Sequence, residues 1–158
     1  MRNKLSKLFI VLAVVCTVSA MTVDAGAQRR RQSPRARGYT KAEVGVIIAR
    51  VENRSDDFIK LFDKALDRSG LDGTKREDNL NERARNLEKS LDDLRREFDR
   101  KESYIATRPE VSRTLNIANE IDKVMKRRRM GGETERQWTL LRLELNTLAD
   151  VYNLKMLR

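Results

Sequence analysis

Between Lys41 and Tyr152, apolar residues recur at alternating steps of four and three, in four separate runs. That period places them on one face of a helix and excludes the alternation of a half-buried strand. The first run, over about Lys41 to Arg68, is Val44, Ile48, Val51, Ser55, Phe58, Phe62 and Ala65, widened by Ile47, Ile59, Leu61 and Leu66. Ser69-Gly70 has the form of a helix C-cap. The second run is Leu80, Ala84, Leu87, Leu91, Leu94 and Phe98, behind the capping box Thr74-Lys75-Arg76-Glu77. Ile105 stays in phase one heptad later, and Lys101 breaks the stripe between them. The third is Val111, Leu115, Ala118, Ile121 and Met125, flanked by Ile117 and Val124. Thr107-Arg108-Pro109-Glu110 reads as a second capping box, with Pro109 in the first turn where its missing N–H costs nothing. The fourth, from near Glu133 to near Met156, is Trp138, Leu141, Leu145, Leu148 and Tyr152. Gly131-Gly132 separates it from the third.

Four amphipathic helices joined by three short links pack antiparallel to their neighbours, with crossing angles near 20° and one shared core. The expected fold is all-α, an antiparallel up-down-up-down four-helix bundle over residues 40–158. The same stepping also suits long helical hairpins that close only by pairing in a homodimer.

Residues 1–27 have a different character. Arg2, Lys4 and Lys7 precede the apolar run Leu8 to Val15, and Ala25-Gly26-Ala27 forms a small-x-small site. A basic start, a short apolar stretch and such a site are the pattern of a secretory signal peptide. Val18-Ser19-Ala20 is an earlier cleavage candidate. A membrane anchor would need roughly 20 apolar residues, and Thr17, Ser19, Thr22 and Asp24 interrupt this stretch. The mature form is therefore expected in the periplasm or outside the cell, without a transmembrane span. Cys16 is the only cysteine. Val15 before it is not the small residue a lipoprotein site needs. If Cys16 leaves with the leader, no disulfide is possible and packing alone stabilises the fold.

The net charge of +10 invites a nucleic-acid reading, but its distribution weakens that reading. Residues 40–158 hold 26 Lys and Arg against 23 Asp and Glu. The excess lies mainly in residues 28–39, where Arg29, Arg30, Arg31, Arg35 and Arg37 meet no acid. This arm has almost nothing apolar to offset its ordering entropy and is expected to be disordered. It is either a solubilising spacer or a contact for an anionic envelope surface, binding in a salt-dependent way.

Histidine is absent. Without it, Ser-His-Asp and Cys-His catalysis are excluded. Bundle di-iron centres lose their Glu-x-x-His pairs. No catalytic residue, metal ligand or cofactor is expected. Asp56-Asp57 and Asp92-Asp93 point about 100° apart on a helix, so they read as solvated, salt-bridged faces rather than convergent dyads. Lys126, Arg127, Arg128 and Arg129 are a candidate anion-binding cluster beside the Gly131-Gly132 turn, although the favoured reading is that they mark the helix end. They also suit the negative end of a helix dipole. Phe58, Phe62, Phe98, Trp138 and Tyr152 lie on apolar stripes, not among the cations, so sequence-specific nucleic-acid recognition is not expected.

Two stretches, Ala65-Leu66-Asp67-Arg68-Ser69-Gly70-Leu71-Asp72-Gly73-Thr74-Lys75-Arg76-Glu77-Asp78 and Trp138-x-x-Leu141-Arg142-x-Glu144-Leu145-Asn146-x-Leu148-Ala149-x-x-Tyr152-Asn153, together resemble a family of small exported all-helical bacterial proteins of unknown function. The resemblance implies export and a helical fold, and transfers no functional residue. In size, export, helix content and basic charge the chain is also similar to small periplasmic chaperones of the Spy/CpxP kind. It lacks their Leu-Thr-x-x-Gln motif, which makes this an analogy rather than membership. The expected function is a non-enzymatic binding or structural module of the bacterial cell envelope, meeting an anionic surface or a protein partner. The alternative is a holdase for unfolded proteins.

Overall fold

The first two helices start behind local side-chain caps. In the computed structural model, residues 38–70 and 73–158 are described. The expected leader over 1–27 and Arg29, Arg30, Arg31, Arg35 and Arg37 of the arm lie outside them. Helix α1 spans Lys41–Asp67 behind a full capping box. The Thr40 hydroxyl accepts from the Glu43 N–H, and the Glu43 carboxylate accepts from the Thr40 N–H at 2.9 Å. This box was not anticipated. Helix α2 spans Lys75–Arg100. Thr74 caps it as expected, but Glu77 reaches one residue further back and accepts from the Gly73 N–H at 2.7 Å. Gly73 has a φ of +70°, which favours glycine; Gly70, expected as the cap, does not.

A 3-10 turn over Tyr104–Thr107 leads into α3, Arg108–Arg127. Here the expected capping box fails. Thr107 makes no cap hydrogen bond. Its hydroxyl is buried instead between the Tyr104 carbonyl, at 2.7 Å, and the Tyr152 hydroxyl, at 2.9 Å. Ile105 is exposed, because α2 stops at Arg100 and its stripe with it. Helix α4 spans Gly132–Val151, so Gly132 opens it rather than separating it from α3. It ends five residues before the expected Met156. Asn153 takes a left-handed φ of +54°, the Leu154 N–H donates to the Ala149 carbonyl, and the Asn153 N–H donates to the Asp150 carbonyl. This pair of bonds is a Schellman closure with asparagine in place of glycine.

The four helices pack against one another in chain order, α1 on α2, α2 on α3, α3 on α4 and α4 on α1. One ion pair crosses each seam: Glu52–Arg95, Arg83–Glu120, Asp122–Arg142 and Arg50–Glu144. Further contacts set the direction. Phe98 lies against Gly45 near the start of α1, and Trp138 of early α4 lies against Phe58 in the second half of α1. Ser90 and Thr114 meet across α2 and α3, and Thr107 meets Tyr152. Every neighbour is therefore antiparallel. The stripes bury one another within a single chain, so the hairpins need no second copy to close.

Nearly every residue of the four stripes is buried. One departure is instructive. Late in α1, Leu66 is fully buried and Ala65 only partly. A 3.6-residue helix drifts about 20° per heptad against a 3.5 repeat, so three heptads move the seam by about 60°, more than half the 100° between successive residues, and Leu66 comes to lie nearer to it than Ala65. Tyr39, counted with the arm by sequence, packs partly buried on the core.

At the Thr107 end, the Tyr152 ring meets Tyr104 edge-on, with centroids 5.7 Å apart. Burial pushes the Tyr152 phenol above the ordinary tyrosine range, opposed by its hydrogen bond with Thr107. The folded chain thus holds this proton to higher pH than the unfolded chain. The linked stability is intact below about pH 10 and is lost as pH rises through the folded value. Melting temperatures should therefore fall more steeply above about pH 10 in the wild type than in Tyr152→Phe. Equal slopes would show that Tyr152 plays no part in alkaline unfolding.

Candidate anion-binding groove

The structure divides the Lys126–Arg129 run three ways: Lys126 and Arg127 point about 100° apart on the last turn of α3, and the chain turns extended at Arg128. Lys126 turns to the α3/α4 side and pairs with Asp122. Arg129 lies beyond the end of α3, 3.9 Å from Glu135. Only Arg127 and Arg128 enter a common groove, between the early part of α2 and the late part of α3.

That groove encloses about 650 Å³. Leu80 and Val124 line it, together with Arg76, Arg83, Lys123, Arg127 and Arg128. The helical repeat brings these cations together. On α3, Glu120, Lys123, Val124 and Arg127 stand at i, i+3, i+4 and i+7 and share one face. On α2, Arg76 and Arg83 are seven apart and flank the buried Leu80. Five cations therefore face one acid. Lys123 donates to Glu120 at 2.6 Å and Arg83 lies 3.4 Å from it. The Lys123 hydrogen bond, reinforced by the charges of Lys123 and Arg83, holds Glu120 below the usual carboxylate range. Glu120 thus stays ionised and compensates those two cations. Arg76, Arg127 and Arg128 pair with no acid among the described residues. Such a surface attracts phosphate, sulfate or carboxylate groups, and arginine can meet them with two parallel hydrogen bonds.

Sequence reasoning missed Arg76, Arg83 and Lys123. Each sits directly beside a core position, and a search for cations flanking two adjacent stripes would have found them. It missed Asp122 as well. This carboxylate is buried at the α3/α4 seam. It accepts from the Trp138 indole N–H at 3.1 Å, from Lys126, and lies 3.7 Å from Arg142. The segment after α4 folds back beside it. The Asn146 amide donates to the Leu157 carbonyl at 3.1 Å and accepts from the Leu157 N–H at 2.7 Å, while Lys126 donates to the Arg158 carbonyl. Asp122 is committed to these partners and is a structural tie.

The paired acids are solvated. Asp56, Asp57 and Asp92 are exposed, and Asp93 pairs with Lys89 and Arg96. Among the described residues no group of three or more His, Cys, Asp or Glu is placed to hold a metal ion. No helix among them is long and apolar enough to cross a membrane. Family models, curated proteins and solved structures contain no match to this chain.

Proposed function

We propose that the protein is an exported, non-enzymatic binding module of the cell envelope that engages an anionic component through the α2/α3 groove and the arginine-rich arm. The observation that carries this reading is the groove itself, with five cations against the single acid Glu120. Apolar surface speaks less for a holdase. Among the described residues, the exposed large apolar side chains Val46, Ile105, Leu143 and Met156 lie on four different segments.

The test uses the full chain with two double substitutions of equal charge change. Arg76→Glu with Arg127→Glu reverses the groove. Lys60→Glu with Lys64→Glu reverses an exposed patch of α1. Binding is measured against vesicles containing phosphatidylglycerol and against long-chain polyphosphate. The wild type should bind at least one probe saturably, and binding should weaken as salt rises. At about 1 kcal/mol per cation, the groove pair should weaken binding roughly thirtyfold. The α1 pair should weaken it far less. Equal losses from the two pairs, or no binding to either probe, would overturn the reading.

A further inference from the structure

The groove does not end at Arg83. A second hollow of about 390 Å³ continues along the same seam, sharing Arg83 and Glu120 as walls. Its far end is lined by Lys89 and Arg113. Because α2 and α3 run antiparallel, Arg76 stands opposite Arg127 at one end, and Lys89 opposite Arg113 at the other. On each helix the cations extend over about 20 Å at 1.5 Å rise per residue. The acids along the way are already engaged, Glu120 with Arg83 and Lys123, and Asp93 with Lys89 and Arg96. The free attraction therefore lies at the two ends, in Arg76, Arg127 and Arg128 on one side and Arg113 on the other.

One phosphate or headgroup reaches only one of these ends. A chain of closely spaced anionic groups lying in the trough reaches both. Resting on the anion-binding reading above, we infer that the α2/α3 seam is a track for a linear polyanion, a polymer of phosphate or sulfate groups, bound lengthwise. Linking the two ends through one ligand makes the second contact intramolecular, so affinity rises with chain length until the trough is spanned.

The experiment compares tripolyphosphate, polyphosphate longer than about 20 Å and phosphatidylglycerol vesicles, each with the full chain. The arm is common to every variant, so differences between variants report the trough. Arg76→Glu with Arg127→Glu alters the near end, and Lys89→Glu with Arg113→Glu the far end. All four side chains are exposed, and unchanged circular dichroism confirms that each variant folds. Long polyphosphate should bind at least tenfold more tightly than tripolyphosphate, and either pair should remove most of that advantage. Tripolyphosphate should respond to the near-end pair alone. If long and short chains bind equally, or the far-end pair leaves long-chain binding unchanged, the lengthwise track is wrong. If vesicles and tripolyphosphate still respond to the near-end pair, the anion-binding reading survives that failure. If no probe responds to either pair, both fall.

Discussion

Replacing Phe58 by alanine is expected to destabilise the bundle by about 3–5 kcal/mol. Phe58 is fully buried, and its ring lies 5.1 Å from Phe62 and 5.0 Å from Trp138 between centroids. Truncation removes the transfer energy of a whole ring and leaves a cavity between α1 and α4. Helices on both sides are held by further stripes, so the cavity collapses only in part. Native domains of this size have about 5–15 kcal/mol in total, so one substitution consumes a large share of it. Phe58→Leu keeps most of the volume and should cost about 1 kcal/mol. Urea unfolding followed by Trp138, the only tryptophan, reports the change directly. A midpoint for Phe58→Ala within error of wild type would show that the aromatic cluster does not hold α1 to α4.

Asp122→Ala should cost about 2–3 kcal/mol, by a different mechanism. The Asp122 side chain is 3% exposed, whereas Lys126 is 50% and Arg142 33% exposed. After truncation the two cations remain in reach of water, so they add little. The Trp138 indole N–H is buried and loses its acceptor, and that desolvation is the main cost. Asp122→Asn retains an acceptor and should lose clearly less. The same urea series separates the cases. If Asn and Ala variants unfold together, the indole hydrogen bond is not what Asp122 contributes.

Both residues show how unevenly the fold was legible. Phe58 sits where the 4-3 stepping of its own segment places it, and a period needs no knowledge of the partner helix. Asp122 stands between Ile121 and Met125 and looks, in sequence, like any helical acid. Only the approach of Trp138 and Arg142 from α4 makes it a core residue. Thr107 is the converse. Its spacing to Glu110 has the form of a cap, but Tyr152, 45 positions away, takes its hydroxyl into the bundle end. The box at Thr40 is local, set by Thr40 and Glu43 alone, and so is legible in the sequence.

The binding groove divides in the same way. Lys126 to Arg129 are visible as a run, but α3 ends within it, so the run is split between the last helical turn and the extended residues that follow. Arg76, Arg83 and Lys123 are scattered over two segments, and nothing within either segment marks them as a group. Their convergence depends on the antiparallel register of α2 and α3.

Residue spacing alone determined that residues 40–158 make four amphipathic helices, which side of each is buried, and that they share a core. Those properties follow from a repeat of 3.6 residues and the cost of leaving apolar surface in water, and both act within one segment. The tertiary structure decided which cations share a groove, which acid becomes a buried tie and where two of the helices stop. These depend on distances between segments far apart in the chain, and only the packed arrangement of the helices sets them.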